Sequence, residues 1–511
     1  MRVWWVLLLL VPVAGAEFGA EEGGWPVGVD GTSHHPAERF DADALATLQR
    51  EAWDALPLDV RIGLHDAPLG PLNRQGPATI YPYYPIVVAE VQRLANLHPD
   101  IVRLHEAGTS EAGLTLWMLE IGDFTRDTEP DFVPWADRES IWIDGGTHSN
   151  EYSGVYFVLA VAQYLIESYG QDDLATFVVE NRHTWIMPMV NPDGSHLMGR
   201  LNANLVNINR NYPVIWGGEG TDDLLNNPGP EPASEVETRV NIDWFERVQP
   251  DYYASIHCCG NLWLFPYGED GYDPPDVDMM NRVCDEAFPP EIREDCGPIW
   301  STIYPASGSS VDTAYEHTGG VSFGFEMSGR SNLAGPWGEP VTFEEVFAQE
   351  AESWQGIRHA LEHVERYGGH PVIDAIRSDD RGLHVTVRND GLGPLEAGFL
   401  TYHEAGLTFG KAPLPVLAPE ETVTVFVDGS DRVATMELRL DYQQRRMTEP
   451  WHHERTPVQV VASADAVVRD GDGFIVPLNP LAEPPAPVSL GSPGVGWLAV
   501  VGVLALALRR R

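Results

Sequence analysis

The sequence predicts an α/β domain built on a central sheet, followed by a small all-β sandwich and a hydrophobic C-terminal tail. Three observations predict it. Short apolar strands alternate with helical patterns from residue 81 to 367. After Gly368-Gly369 the pattern becomes alternation of apolar and polar residues broken by Gly, Pro and Asp turns, which suits a sandwich. At 511 residues with 43% hydrophobic content, the chain exceeds what one core usually fills, so two domains with appendages are expected.

The ends read as appendages. Residues 1–16 carry an early Arg, an apolar run and Ala14-Gly15-Ala16, the pattern of an export signal with a small-residue cleavage site. Residues 17–78 are rich in Gly, Pro, His and Asp, with one helical patch at 42–55, and read as an N-terminal extension or short propeptide. At the far end, residues 466–487 form a proline-rich linker. Residues 488–511 are apolar and finish on three arginines, as a transmembrane or sorting tail would. The chain is therefore expected to be exported, and secreted or anchored at the cell surface through 488–511.

Within the first domain, residues 79–368, a helix is expected at 85–97 and strands at 101–105 and 114–121. A strand at 140–144 meets Gly145-Gly146 and then a mostly apolar helix from 151 to 169. Strands follow at 183–190, 251–257, 262–266 and 321–327, and a helix at 347–367 closes the unit. In the second domain, residues 369–465, strands are expected at 384–388, 422–427, 434–442 and 457–461, with nothing that looks catalytic.

The net charge is −44 and Lys411 is the only lysine. So acidic a surface excludes nucleic acid as a partner, because phosphate backbones demand a basic face. Four cysteines in an exported chain allow disulfides. Cys284 and Cys296 could close a small loop, whereas adjacent Cys258 and Cys259 are expected to stay unpaired with each other and buried.

The chemistry gathers at strand ends. His148 and Glu151, three apart at a strand-to-helix junction, can turn an imidazole and a carboxylate to one point. His257 ends another apolar strand, the place where open α/β sheets bind ligands. Two His and one carboxylate form a catalytic zinc set that leaves a position for water.

At these residues the chain resembles the zinc metallocarboxypeptidases of the carboxypeptidase A/B type. The resemblance runs from about residue 81 to 367 and rests on HSNE at 148, NPDG at 191, NINRNY at 207, SIHCCGNLWLFPYG at 255, and TIYPASGSSVD at 302 with FGFE at 323, in the family's order. It implies a mixed central sheet flanked by helices and one Zn2+ held by His148, Glu151 and His257. It implies zinc-activated water attack on the terminal peptide bond, with Glu326 as general base and Arg200 stabilising the oxyanion. Asn209 and Arg210 match the pair that captures a C-terminal carboxylate, which a guanidinium fork suits. Tyr304 matches a tyrosine that closes over the terminal residue.

Side-chain specificity follows from the positions where basic-preferring branches carry an aspartate. Here these are Val311 and Gly268, with Ile299 and Ala306 adding apolar wall. The resemblance therefore implies release of single large apolar or aromatic C-terminal residues from peptides and proteins by a monomer. Asn150 departs from an arginine that many digestive members carry, and Cys258-Cys259 replaces polar and aromatic residues after the third ligand. Two rival readings keep the scaffold: a hydrolase of cell-wall peptides or other amides, and an inactive binding module. Retention of Asn209, Arg210 and Tyr304 counts against the first. The presence of every zinc ligand and of Glu326 counts against the second.

Overall fold

The computed structural model describes residues 84–125, 138–197, 200–328, 342–378, 382–404, 407–428, 434–443, 452–461, 468–470 and 473–477. The expected export signal (1–16), the extension (17–78) and the tail (488–511) lie outside these residues. No helix among the described residues is long and apolar enough to cross a membrane. The chain divides into two compact units between Val364 and Glu365.

In the first unit, helix α1 (Tyr84–Leu97) precedes the hairpin β1 (Val102–Thr109) and β2 (Thr115–Ile121). Strand β3 (Glu139–Gly145) leads into helix α2 (Tyr152–Glu167), then helix α3 (Asp173–Asn181) and strand β4 (Arg182–Met187). Helix α4 (Val236–Val248) precedes β5 (Tyr252–Cys258), β6 (Leu262–Phe265), helix α5 (Val277–Ala287), β7 (Cys296–Pro298), helix α6 (Ser310–Thr318) and β8 (Val321–Met327). Helices α7 (Phe343–Gln349) and α8 (Ala351–His363) finish the unit. The single helix expected at 347–367 is thus two, separated at Glu350, a buried residue with non-helical ψ whose carboxylate accepts from the backbone N–H and hydroxyl of Ser328.

The eight strands form one mixed sheet in the order β1-β2-β4-β3-β5-β8-β6-β7. The centre, β4-β3-β5-β8, is parallel throughout, and the edges bring in antiparallel pairs. Parallel strands are covered on both faces, so β3 is buried at every position and β5 at all but its last. Helix α2 is apolar nearly all round and buries twelve residues, including Val155, Phe157, Val158, Leu165 and Ile166. Trp142 of β3 meets Phe245 of α4, which in turn meets Tyr253 of β5, edge to face.

The second unit is all-β. A three-stranded sheet runs β13 (Thr422–Asp428), β10 (Gly382–Asn389), β9 (Pro371–Ser378). A six-stranded sheet runs β12 (Leu407–Leu414), β11 (Ala397–Glu404), β14 (Ala434–Gln443), β15 (His452–Val461), β17 (Gly473–Pro477), β16 (Val468–Asp470). Their shared core holds Ile376, Leu383, Val385, Leu400, Leu438 and Tyr442. The sheet continues past residue 465, where a linker was expected. The apolar run Phe474-Ile475-Val476 pairs in parallel with β15 before prolines begin to dominate.

Candidate metal centre and substrate cleft

His148, Glu151, His257 and Glu326 gather at the carboxyl ends of the central parallel strands. After β3, Gly146 turns the chain at φ +67, where a Cβ would lie 2.8 Å from Val155 Cγ2, so only glycine fits. The Glu151 N–H donates to the His148 carbonyl at 2.9 Å, closing a turn that brings both side chains to one side before α2 begins. Strand β5 lies parallel beside β3 with Gly145 opposite Ile256, so His257 emerges one residue beyond the last paired position. Strand β8 lies parallel to β5 with Glu326 opposite His257.

His148 Nδ1 lies 2.9 Å from Glu151 Oε1, His257 Nδ1 lies 2.9 Å from Glu151 Oε2, and the two Nδ1 atoms are 3.2 Å apart. These three ligand atoms fall within 4.8 Å of one another, and all three residues are buried. Two imidazole nitrogens and a carboxylate converging on one point make a cradle that a divalent cation fits. The donor set is that of a catalytic zinc site, so the residues fit the ion.

The local charges agree in part. Burial, reinforced by the Arg200 charge, lowers the His148 pKa to about 3, leaving a neutral imidazole. Burial disfavours the Glu151 carboxylate, yet the adjoining His148 and His257 hold it well below the ordinary range. His257 is the exception. Burial opposes its charge, but the Glu151 hydrogen bond and charge outweigh it and draw the pKa upwards. A cation at the centre would reverse that pull. Burial, then the nearby Glu151 charge, pushes Glu326 up to about 7, where a carboxyl group can both take and return a proton near neutrality.

The cleft above the three ligands encloses about 420 Å³ including its open mouth. It is lined by His148, Arg200, Asn209, Arg210, His257, Ile299, Tyr304, Ala306, Val311 and Glu326, all singled out from sequence. Glu151, buried against His148 and His257, is not part of this lining. Arg200 Nη1 donates to Glu151 Oε1 at 2.9 Å, so its guanidinium rests against the ligand set. Arg210 is 1% exposed, donates to the Asn209 and Gly220 carbonyls at 2.9 and 3.2 Å, and interacts with Tyr304. The Asn209 side-chain carbonyl accepts from the Ser310 N–H at 2.9 Å, which ties the pair to the start of α6.

Sequence reasoning missed Leu264, Ile303, Ser309 and Gly324, which share this lining. All four sit inside the quoted motifs, Leu264 and Gly324 on strands whose inward face could have been counted. Gly268 is not in the lining, contrary to expectation. Its carbonyl accepts from the Ala306 N–H at 2.7 Å and its N–H donates to Asp312 Oδ2 at 3.0 Å. A Cβ there would stand 2.4 Å from the Ala306 carbonyl oxygen, so the glycine lies behind the wall rather than in it. The cysteines also correct the expectation. Cys258 and Cys259 are bonded to each other and partly exposed, while Cys284 pairs with Cys296.

Residues 87–352 match the family model described as zinc carboxypeptidase. Carboxypeptidase A2 of Mus musculus is 29% identical over 259 residues, covering 46% of this chain and 60% of the relative. Carboxypeptidase A1 of Sus scrofa is 28% identical over 315 residues, 56% of this chain and 68% of the relative. Among solved structures, the carboxypeptidase A from Helicoverpa armigera aligns with a TM-score of 0.46 at 22% identity, over 60% of this chain and 80% of its own. The chain thus spans about 60% of the length of the mouse relative. The family match covers more than half of the sequence and encloses His148 and Glu151 in the turn between β3 and α2, His257 on β5 and Glu326 on β8; this chain belongs to the zinc carboxypeptidase family.

Proposed function

We propose that the first unit is a zinc-dependent carboxypeptidase that releases single C-terminal residues, with preference for large apolar or aromatic side chains. The observation that carries this reading is the juxtaposition, at one cleft, of His148 and His257 with the adjoining Glu151, of buried Arg210 with Asn209, and of an apolar wall. His148, Glu151 and His257 would hold a zinc ion, which would supply Lewis acidity and make water more acidic.

The remaining steps belong to the protein. Glu326, with its carboxyl poised at about 7, takes the proton of the attacking water and passes it to the leaving amine. Arg200, beside the ligands, faces the charge that develops on the carbonyl oxygen. Arg210 and Asn209 grip the terminal carboxylate, which restricts cutting to chain ends. Tyr304, next to Arg210, closes over the bound residue. The terminal side chain enters the wall of Leu264, Ile299, Ile303, Ala306, Val311 and Gly324, none of them charged. Burying a Phe or Leu side chain there gains roughly 2 kcal/mol.

Hydrolysis of blocked dipeptides ending in Phe, Leu, Arg or Glu, with and without a chelator, tests the reading. Phe and Leu should leave fastest and the chelator should stop all release. Faster release of Arg than of Phe would overturn the assigned pocket.

A further inference from the structure

Both imidazoles of the metal centre turn Nδ1 inwards, and each is held from behind by a different kind of group. His257 Nε2 lies 3.1 Å from Ser255 Oγ, and the Ser255 hydroxyl donates to Asp144 Oδ1 at 2.9 Å. Asp144 on β3 and Ser255 on β5 are direct partners across the parallel pair, which is why their side chains meet. His148 Nε2 lies 3.0 Å from Asn207 Oδ1.

The hydrogen-bond logic decides the protons. A hydroxyl has one proton to give, and here it goes to the carboxylate, so Ser255 Oγ at 3.1 Å is the acceptor available to His257 Nε2–H, and Asn209 Nδ2 stands farther off at 3.4 Å. The lone pair of His257 is then left on Nδ1, facing the ligand position. Asn207 reaches the same end by a shorter route. Its Nδ2 donates to the Leu225 carbonyl at 2.9 Å, so its Oδ1 faces His148 as an acceptor.

The two arms differ in charge. Asp144 is fully buried and also accepts from Tyr253 O–H at 2.8 Å and Trp142 Nε1–H at 3.2 Å. A carboxylate behind an imidazole raises its basicity as a ligand, whereas an amide only orients it.

We propose that Asp144 and Ser255 are positioning residues for metal binding, a buried carboxylate acting through one hydroxyl on His257, while His148 is oriented by the neutral amide of Asn207. This rests on the zinc reading above. His257 is then the more basic of the two imidazole donors, and the sheet itself, through the β3–β5 register, sets the affinity of the centre. The competing account is that Asp144 and Ser255 merely cement β3 to β5.

Competition between the full chain and a fluorescent zinc chelator separates the two. Zinc affinity should fall about 10–100-fold in Ser255→Ala. Asp144→Asn should lower it in the wild-type background but cause no further loss beside Ser255→Ala, because the relay is already cut. Ser255→Thr, which keeps a hydroxyl, should stay within a few-fold of wild type. A cementing role alone would lower the melting temperature of the metal-free protein and leave the zinc affinity of the folded chain unchanged. If Ser255→Ala does not fold, Asp144→Asn and Ser255→Thr carry the comparison, and unchanged affinity in Asp144→Asn overturns the relay. A wild-type chain that fails to bind zinc overturns the zinc reading itself. Tight wild-type binding matched by Ser255→Ala overturns only the relay.

Discussion

Asp312 stands directly behind the apolar cleft, next to Val311, and its burial has a measurable consequence. Its side chain is fully buried, Oδ2 accepts from the Gly268 N–H at 3.0 Å, and Oδ1 has no partner among the described residues. Burial, opposed in part by the Gly268 bond, pushes its pKa from 3.8 up to about 7. Between those values the folded chain keeps a proton that the unfolded chain has released. Stability contributed by the protonated form is therefore complete below pH 4, falls as pH rises towards 7, and is gone above it. At about 1.4 kcal/mol per pKa unit, the whole change amounts to roughly 4 kcal/mol. Asp312→Asn replaces the protonated acid nearly atom for atom, with an oxygen for the Gly268 N–H and an NH2 where the unpartnered oxygen stood. The variant should match the wild type within about 1 kcal/mol at pH 4 and exceed it by up to about 4 kcal/mol at pH 8. Urea denaturation across this range measures it. The difference between variant and wild type is the informative quantity, because Asp144 and Glu237, raised by burial to about 6 and about 7, add a slope common to both proteins. A difference that stays flat with pH would refute the reasoning.

Three further outcomes follow from the same geometry. Arg210→Ala should reduce kcat/KM for peptides with a free C-terminus about 10–100-fold, the worth of a charge-assisted hydrogen bond, and leave turnover of C-terminally amidated peptides unchanged; equal losses on both would remove Arg210 from carboxylate capture. Gly324→Ala should fold normally, since its Cβ meets Val311 Cγ2 at 3.4 Å and Leu264 Cβ at 3.9 Å in ordinary contact. That methyl narrows the cleft, so release of Phe should slow several-fold relative to Leu in a mixed-substrate assay. A small dithiol under native conditions should expose Cys258 and Cys259 to alkylation before Cys284 and Cys296, because the first pair is partly exposed and the second is 0% and 4% exposed, as peptide mass mapping would read directly.

The parts legible in the sequence were those where local pattern and tertiary environment agree. The central strands are continuous apolar runs because both faces are covered, so 140–144, 251–257 and 321–327 were found with their chemistry at the carboxyl ends. Eight of the cleft-lining residues named from sequence lie inside the quoted motifs, and Arg200 and Ile299 lie outside them. What escaped depended on contacts between distant segments. Strand β7 is three residues of Cys-Gly-Pro with no periodicity, and only its pairing with β6 makes it a strand. The break at Glu350 reflects a carboxylate drawn to Ser328, invisible to helix propensity. Gly268 was assigned to the pocket wall by position in a motif, whereas the Ala306 main chain stands in front of it. The roles of Asp144, Ser255 and Asn207 required strand register, because Asp144 and Ser255 are 111 residues apart in sequence.

The proposed hydrolysis requires a metal gripped by three side chains with a fourth handling protons. Zinc content and turnover of a blocked dipeptide ending in Phe, measured on one preparation of Glu326→Gln, test it most directly. Zinc should stay bound as in the wild type and turnover should fall about 10²–10⁴-fold. Undiminished turnover in that variant, or a wild-type protein that hydrolyses the dipeptide without zinc, would contradict it.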